Sequence, residues 1–309
     1  MRNITNIFTA LSLLVISISL RAQSVHPIFD VHIHYTWSQA EITSPHQALE
    51  ILDEAGVSRA VVIGTPADYA LQLYRLAPEK IIPIYSPYQL GGEKLSWQFN
   101  NELIEEVRNG LSSGLYQGIG ELHFIGGMAT HWRRSKVFVG LLEIAREYDV
   151  PLIVHSEYSA INPTLSICQE NRDNRFLLAH AGAVIKPKQI EQILLDCPNV
   201  VMDLSARDPW RYVKHPITDE EGQLLPDWRE LILRFSDRFM VGSDPVWPVD
   251  KGSSWDEPDS GWQQLPRFVD FHRRWLSGLP DNVEKKIRWS NAERWFESRT
   301  AKIEAHPLD

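Results

Sequence analysis

Cysteine is nearly absent from this chain: its 309 residues include two, Cys168 and Cys197. They share no CxxC or Cys-His spacing, so neither a thiolate metal site nor a cysteine nucleophile organises the protein. Whether they form a disulfide or remain buried thiols is open here, because separation along the chain does not show proximity. Glycine-rich phosphate loops of the GxGxxG or GxxxxGK[ST] type are missing, which removes the usual signature of a nucleotide site. There is no internal repeat and no low-complexity tract. Positive charge is also short, with 31 Lys and Arg against 40 Asp and Glu and a net charge of -9. An acidic chain of this kind argues against nucleic acid as a partner.

One long hydrophobic run exists, "IFTALSLLVISISL" at residues 7–20, with Arg2 before it and "RAQS" after it. It is shorter than the roughly 20 apolar residues of a spanning helix, and Thr and Ser interrupt it. It reads as a signal peptide over residues 1–22, closing at the small residue Ala22. The expected product, residues 23–309, is secreted and periplasmic, with no stable membrane insertion after cleavage. Cleavage would remove Arg2 and Arg21 and no acid, taking the charge from -9 to -11. Oligomeric state is not legible, so a homo-oligomer stays open.

The rest of the chain alternates short apolar runs with amphipathic ones. Strand-like runs lie at 28–34, 59–64, 80–86, 116–124, 151–156, 176–181, 199–205 and 238–244; they are short and rich in Val and Ile, as buried parallel strands are. Helical periodicity separates them. In "SPHQALEILDEAG" (44–56), Ser44 is placed to cap, Pro45 to open and Gly56 to end a helix. Further helices are expected over 135–149 and 186–198. Eight strand–helix pairs predict a single-domain α/β protein, a (β/α)8 TIM barrel, with an open doubly wound sheet as the alternative. Two long polar tracts, 204–228 and 245–262, become extended loops after strands 7 and 8, at the rim where barrel active sites sit. Eight of the eleven Trp fall from Trp210 onwards, mostly as packing and loop anchors.

The polar residues at the strand ends form a set. The first strand ends in "FDVHIHY", where His32 and His34 are two apart and share a face. Glu121 lies on the fourth strand, His155 ends the fifth, His180 the sixth and Asp244 the eighth. Each alone is a common core or turn residue. Together they bring four imidazoles and two carboxylates to one rim, which is costly without compensation. A divalent cation compensates, and His nitrogen with carboxylate oxygen suits zinc, with Mn2+, Fe2+ or Co2+ also compatible. Asp30, two before His32, is expected on the same face one layer deeper, supporting the ligands. His123, Glu157, Arg207, Trp210 and Trp247 are candidate substrate-binding residues, as are His131 and Trp132. For Arg207 a surface salt bridge is the competing account. Asp203 flanks the end of strand 7.

This pattern resembles the amidohydrolase superfamily, and within it the amidohydrolase-related (amidohydrolase 2) metal-dependent hydrolases. Their HxH, strand-4 acid or modified Lys, strand-5 and strand-6 His, and strand-8 Asp match His32, His34, Glu121, His155, His180 and Asp244. "NAERWF" (291–296) resembles the segment after the family's last strand. The resemblance implies one or two metal ions, with Glu121 bridging two or standing beside one. It implies hydrolysis of an amide, lactone, ester or phosphoester of a small molecule by metal-activated water. Asp244 would shuttle the proton, and His180 or the metal would polarise the scissile group. Two alternatives remain: a metal-dependent non-oxidative decarboxylase of a ring or unsaturated acid, and a non-catalytic periplasmic barrel that binds metal or ligand.

Overall fold

Eight parallel strands wind into one closed barrel in the computed structural model, which describes residues 26–125, 135–211, 213–249 and 257–296. The signal peptide expected over 1–22, and His131 and Trp132, lie outside the described residues. The strands are β1 (Ile28–Thr36), β2 (Val57–Thr65), β3 (Ile81–Ile84), β4 (Ile119–Phe124), β5 (Leu152–Ser156), β6 (Phe176–Leu178), β7 (Val200–Asp203) and β8 (Phe239–Met240). A helix follows each: α1 (Pro45–Glu54), α2 (Asp68–Leu76), α3 (Leu103–Ser112), α4 (Lys136–Glu147), α5 (Asn162–Glu170), α6 (Pro187–Asp196), α7 (Pro226–Arg234) and α8 (Leu265–Leu276).

The ladders run β1-β2-β3 and β4-β5-β6-β7-β8, and backbone bonds join the two arcs into a ring. Between β3 and β4, Tyr85 N donates to Gly118 O at 2.9 Å and Gln117 N to Pro83 O at 2.8 Å. Between β8 and β1, Val31 N donates to Val241 O at 2.9 Å and Asp244 N to His32 O at 2.8 Å. The eighth strand is thus shorter as a ladder than the run 238–244 suggests, yet its continuation still closes the barrel at the site.

Local chemistry explains the helix starts. Ser44 accepts from Gln47 N, and Pro45 occupies the first turn of α1. Gly56 takes φ +67° just beyond its end, a conformation costly for other residues. Ser135 caps α4 by accepting from Val137 N at 3.2 Å. Apolar side chains of the helices and of the outward strand faces merge into one large core. Inside the barrel a second apolar cluster includes Phe29, Val61, Ile82, Ile153, Leu177 and Met240. It fills the barrel below the strand ends, so polar chemistry is confined to the upper rim.

Cys168 on α5 and Cys197 at the end of α6 are joined as a disulfide, with Cα atoms 5.7 Å apart. Of the two states left open by spacing, the packing of α5 beside α6 selects the bonded one.

Candidate metal centre

Two one-residue shifts of register aim the site. The β1–β2 pairing slips between Asp30 and Ile33. Below the slip Phe29 and Val31 face the barrel interior; above it His32 and His34 do, while Ile33 and Tyr35 join the outer core. This corrects the placement of Asp30 on the face of His32. Asp30 instead fastens backbone: its Oδ1 accepts from His32 N at 3.1 Å and from Ser243 N at 3.0 Å. Burial pushes its carboxyl up to about 7, although the Ser243 and His32 contacts pull the other way. The β4–β5 pairing slips between Ile119 and Leu122. There Gly120 has φ +146°, and a Cβ would lie 2.6 Å from Ile153 O, so this bend requires glycine.

These shifts bring His32, His34, Glu121, His155, His180 and Asp244 together, all at least nine-tenths buried. Glu121 is central. Its Oε2 lies 3.2 Å from His34 Nε2 and 3.7 Å from His32 Nε2. Its Oε1 lies 3.0 Å from His155 Nδ1 and 3.8 Å from His180 Nε2. Oε2 also lies 3.6 Å from His123 Nε2, so one oxygen of the carboxylate faces three imidazoles and the other faces two. Asp244 closes the group, with Oδ1 3.9 Å from His32 Nε2 and 3.8 Å from His34 Nε2, and Oδ2 4.0 Å from His180 Nε2. Among the described residues the atom sets of metal-holding size are His32–His34–Asp244, His32–Glu121–His180 and Glu121–His123–His155.

The charges are set by mutual contact. Burial raises the Glu121 carboxyl, but His123, His32 and His155 outweigh it and hold the group well below the usual range. For Asp244 burial is likewise overcome, by His32, His180 and His34. Burial lowers His34, and it lowers His180 to about 4, so both offer neutral lone pairs. Burial also acts on His32 and His155, yet Asp203 and Glu121 raise His32, and Glu121 and Glu157 raise His155 to about 9. The neighbouring carboxylates thus favour positive charge at His32 and His155.

Backbone strain is stored here. His180 has φ 52° and Asp244 φ 47°, in the left-handed region, each at a cost on the order of 1 kcal/mol. Both are held from several sides. His180 N donates to Asp203 Oδ1 at 3.1 Å, and His180 O accepts from Arg207 Nε at 2.7 Å. Asp244 O and Ser243 O each accept from Arg211 Nη1 at 2.8 Å. At about 1 kcal/mol per bond, these contacts offset the strain.

The remaining candidates divide. His123, Glu157 and Trp247 line the central cavity of about 430 Å3. His123 stacks on His155 with ring centres 4.8 Å apart, and Glu157 Oε1 lies 3.0 Å from His155 Nε2. Arg207 is neither a substrate ligand nor a surface ion pair. It is fully buried, with Nη2 on Ala181 O at 3.0 Å, Nη1 on His215 O at 3.0 Å, and its guanidinium 5.1 Å from the Trp228 ring centre. The long loop after β7 folds back and supplies carbonyls to the cation, so Arg207 holds the His180 turn. Trp210 packs on Phe271 at 5.4 Å under Arg267 and is not among the cavity-lining residues.

Asp203, noted from the sequence only as flanking the end of strand 7, supports two of the histidines. Sequence reasoning missed several other contributors. Asp259 accepts from Trp247 N at 3.0 Å and from Gln39 Nε2 at 3.2 Å, tying the loop after β8 to the one after β1. Trp262 Nε1 donates to His34 O at 2.9 Å. Neither Arg211 nor Trp262 carries any local mark of its role.

Comparison with known proteins agrees with this geometry. Residues 118–297 match the family model described as Amidohydrolase, and residues 29–191 match that of TatD related DNase. Curated proteins include no match. Among solved structures the chain is similar to the TatD homologue YJJV of Escherichia coli K12, at 15% identity and TM-score 0.57, covering 87% of this chain and 98% of that one. It is also similar to a zinc-bound amidohydrolase of Burkholderia multivorans, at 14% identity and TM-score 0.53, covering 88% and 99% of the two chains. At these identities the two structures speak for the fold; the family models each span more than half of the sequence. The chain belongs to the amidohydrolase superfamily and is a metal-dependent hydrolase built on a TIM barrel.

Proposed function

We propose that His32, His34, Glu121, His155, His180 and Asp244 hold two divalent ions, zinc first, and that the site hydrolyses an amide, lactone, ester or phosphoester of a small molecule. The observation that carries this reading is Glu121, whose two oxygens face different sets of histidines. Nitrogen and carboxylate donors in this ratio fit zinc and its neighbours. The fit is also electrostatic: Glu121 and Asp244 are held ionised although buried, so the space between them favours positive charge. Such ions supply Lewis acidity and an acidified water.

The chain's own residues do the rest. Asp244, ionised and at the mouth of the barrel, takes the proton of the attacking water and returns it to the leaving group. His180, neutral because burial disfavours its cation, keeps a lone pair aimed at Glu121 and Asp244. Glu157 orients the His155 ring from its far nitrogen. The small-molecule assignment is supported by the size of the cavity, about 430 Å3. The match to a DNase family model keeps a phosphodiester among the bonds to assay. Secretion to the periplasm is supported by the apolar run at 7–20 and by the disulfide, which suits an oxidising compartment.

Elemental analysis of purified protein tests the centre, alongside turnover of a lactone, an ester, an amide and a phosphodiester. Two ions are expected in the wild type, with occupancy and turnover both lost in His32→Ala. Asp244→Asn should lose turnover more than metal. A metal-free wild type that still hydrolyses any of the four would overturn the reading; one ion per chain would remove the bridging role of Glu121.

A further inference from the structure

His123 is not among the six proposed ligands, yet it is held as a ligand is. It lies on β4 two residues after Glu121, and the loop after β3 fixes its backbone from both sides. Tyr88 Oη accepts from His123 N at 2.9 Å, and Trp97 Nε1 donates to His123 O at 3.0 Å. The ring is buried. It packs on the Tyr88 ring at 5.7 Å and lies nearly parallel to the His155 ring, 17° off plane.

The contacts of the ring fix its tautomer. His123 Nδ1 lies 3.2 Å from Glu121 O and 3.3 Å from Tyr88 Oη. A carbonyl oxygen only accepts, so Nδ1 carries the proton; the opposite tautomer would set two lone pairs against each other there. Nε2 is then left with a lone pair, and it faces Glu121 Oε2 at 3.6 Å. That spacing is too long for a hydrogen bond. It suits two donors on one ion: bonds of about 2.0–2.1 Å at a tetrahedral zinc set neighbouring donors roughly 3.3 Å apart.

His155 completes a set. Its Nε2 gives a proton to Glu157 Oε1 at 3.0 Å, and its Nδ1 is turned to Glu121 Oε1, also at 3.0 Å. Each of these two imidazoles has one nitrogen committed to an oxygen acceptor and the other turned inward, which is how metal-bound histidines are oriented. Donor atoms of Glu121, His123 and His155 lie within 4.8 Å of one another, and this set shares no residue with His32, His34 and Asp244. His180 stands between the two, 3.8 Å from Glu121 Oε1 and 4.0 Å from Asp244 Oδ2.

We propose that His123 is a metal ligand, holding the second ion together with Glu121 and His155, while His32, His34 and Asp244 surround the first. This rests on the two-ion reading above and assigns its donors.

The test uses the zinc-loaded full chain. Elemental analysis and competition with a chromophoric chelator read the ions, and two are expected in the wild type. His123→Phe keeps the bulk and stacking of the ring but offers no donor. It should retain one zinc, with the second weakened more than about 100-fold, beyond the 10- to 100-fold loss of a supporting partner. Tyr88→Phe removes only such a partner and should keep both ions. Anomalous diffraction from wild-type crystals at the zinc edge decides the point whatever the variants do to folding: His123 Nε2 is expected about 2.0–2.1 Å from one zinc peak. Both ions held unweakened in His123→Phe, or Nε2 out of bonding reach of both peaks, would overturn the proposal and leave the two-ion reading standing. A wild type with no zinc, or with a single zinc away from His123, would overturn both.

Discussion

Asp203 Oδ2 lies 3.1 Å from His32 Nδ1, with both side chains fully buried. The other oxygen, Oδ1, accepts from His180 N at 3.1 Å and Ser205 N at 3.0 Å, and Ser205 Oγ sits 2.7 Å from His180 Nδ1. One carboxylate at the end of β7 thereby orients imidazoles from β1 and from the turn after β6, leaving both Nε2 atoms toward Glu121. Burial acts to raise its carboxyl, but His32 and then His180 draw it down to about 2, so it is ionised throughout the working range.

Asp203→Asn keeps the shape and removes the charge. Metal affinity is expected to fall roughly 10- to 100-fold, the usual effect of losing a ligand's supporting partner. Competition with a chromophoric chelator reads this directly, and circular dichroism confirms that the fold persists. Unchanged affinity would show that His32 is oriented by packing alone.

His272 on α8 gives a stability signature in acid. Its Nε2 donates to Gly242 O at 2.9 Å, and its Nδ1 accepts from Trp275 Nε1 at 3.2 Å. Both nitrogens are committed to one neutral tautomer. A second proton would set two donors against each other. Burial, then Arg211, lowers the group to about 3 from its ordinary 6.5. The folded value lies below the unfolded one, so the contribution is complete above pH 6.5 and is lost as pH falls toward 3, at roughly 1 kcal/mol per pH unit. Urea midpoints of wild type and His272→Gln should differ most near neutrality and converge in acid. A gap that stays constant between pH 7 and 4 would contradict the neutral assignment.

The Cys168–Cys197 bond closes a loop with a sequence separation of 29. By loop-closure entropy its reduction is expected to cost about 3–4 kcal/mol. Urea unfolding with and without dithiothreitol measures it, with the Cys168→Ser and Cys197→Ser double variant as control. Metal content should not change, since neither cysteine is in the centre. An identical midpoint in both conditions would mean that the pair contributes nothing to stability in solution.

Much of the fold was legible because parallel strands buried on both faces leave a run of Val and Ile that few other structures require. The helix over 45–54 was readable from Ser44, Pro45 and Gly56, whose roles are local. The site was partly legible for the same reason: a polar residue closing an apolar run stands out against its neighbours. His32, His34, Glu121, His155, His180 and Asp244 were each found this way, and the chain folds them to one place.

Arg207 shows where that reasoning stops. An arginine in a polar tract looks like a surface or ligand-binding cation, and only the return of the loop with Lys214 and His215 supplies the carbonyls that bury it. Asp30 shows a second limit. Period-two alternation put it beneath His32, but a shift of one residue in β1 reverses which side chains face inward.

The sequence alone determined the alternation of elements, the types of donor at the strand ends and, through them, the class of chemistry. The tertiary structure decided which oxygen of Glu121 faces which histidines, that Asp203 supports a histidine 171 positions away, that the cysteines pair, and that His123 turns Nε2 toward Glu121. Local pattern encodes hydrophobic period and backbone preference over a few residues. Contacts between distant strand ends depend on bulges, loop returns and barrel closure, which are settled only when the whole ring packs.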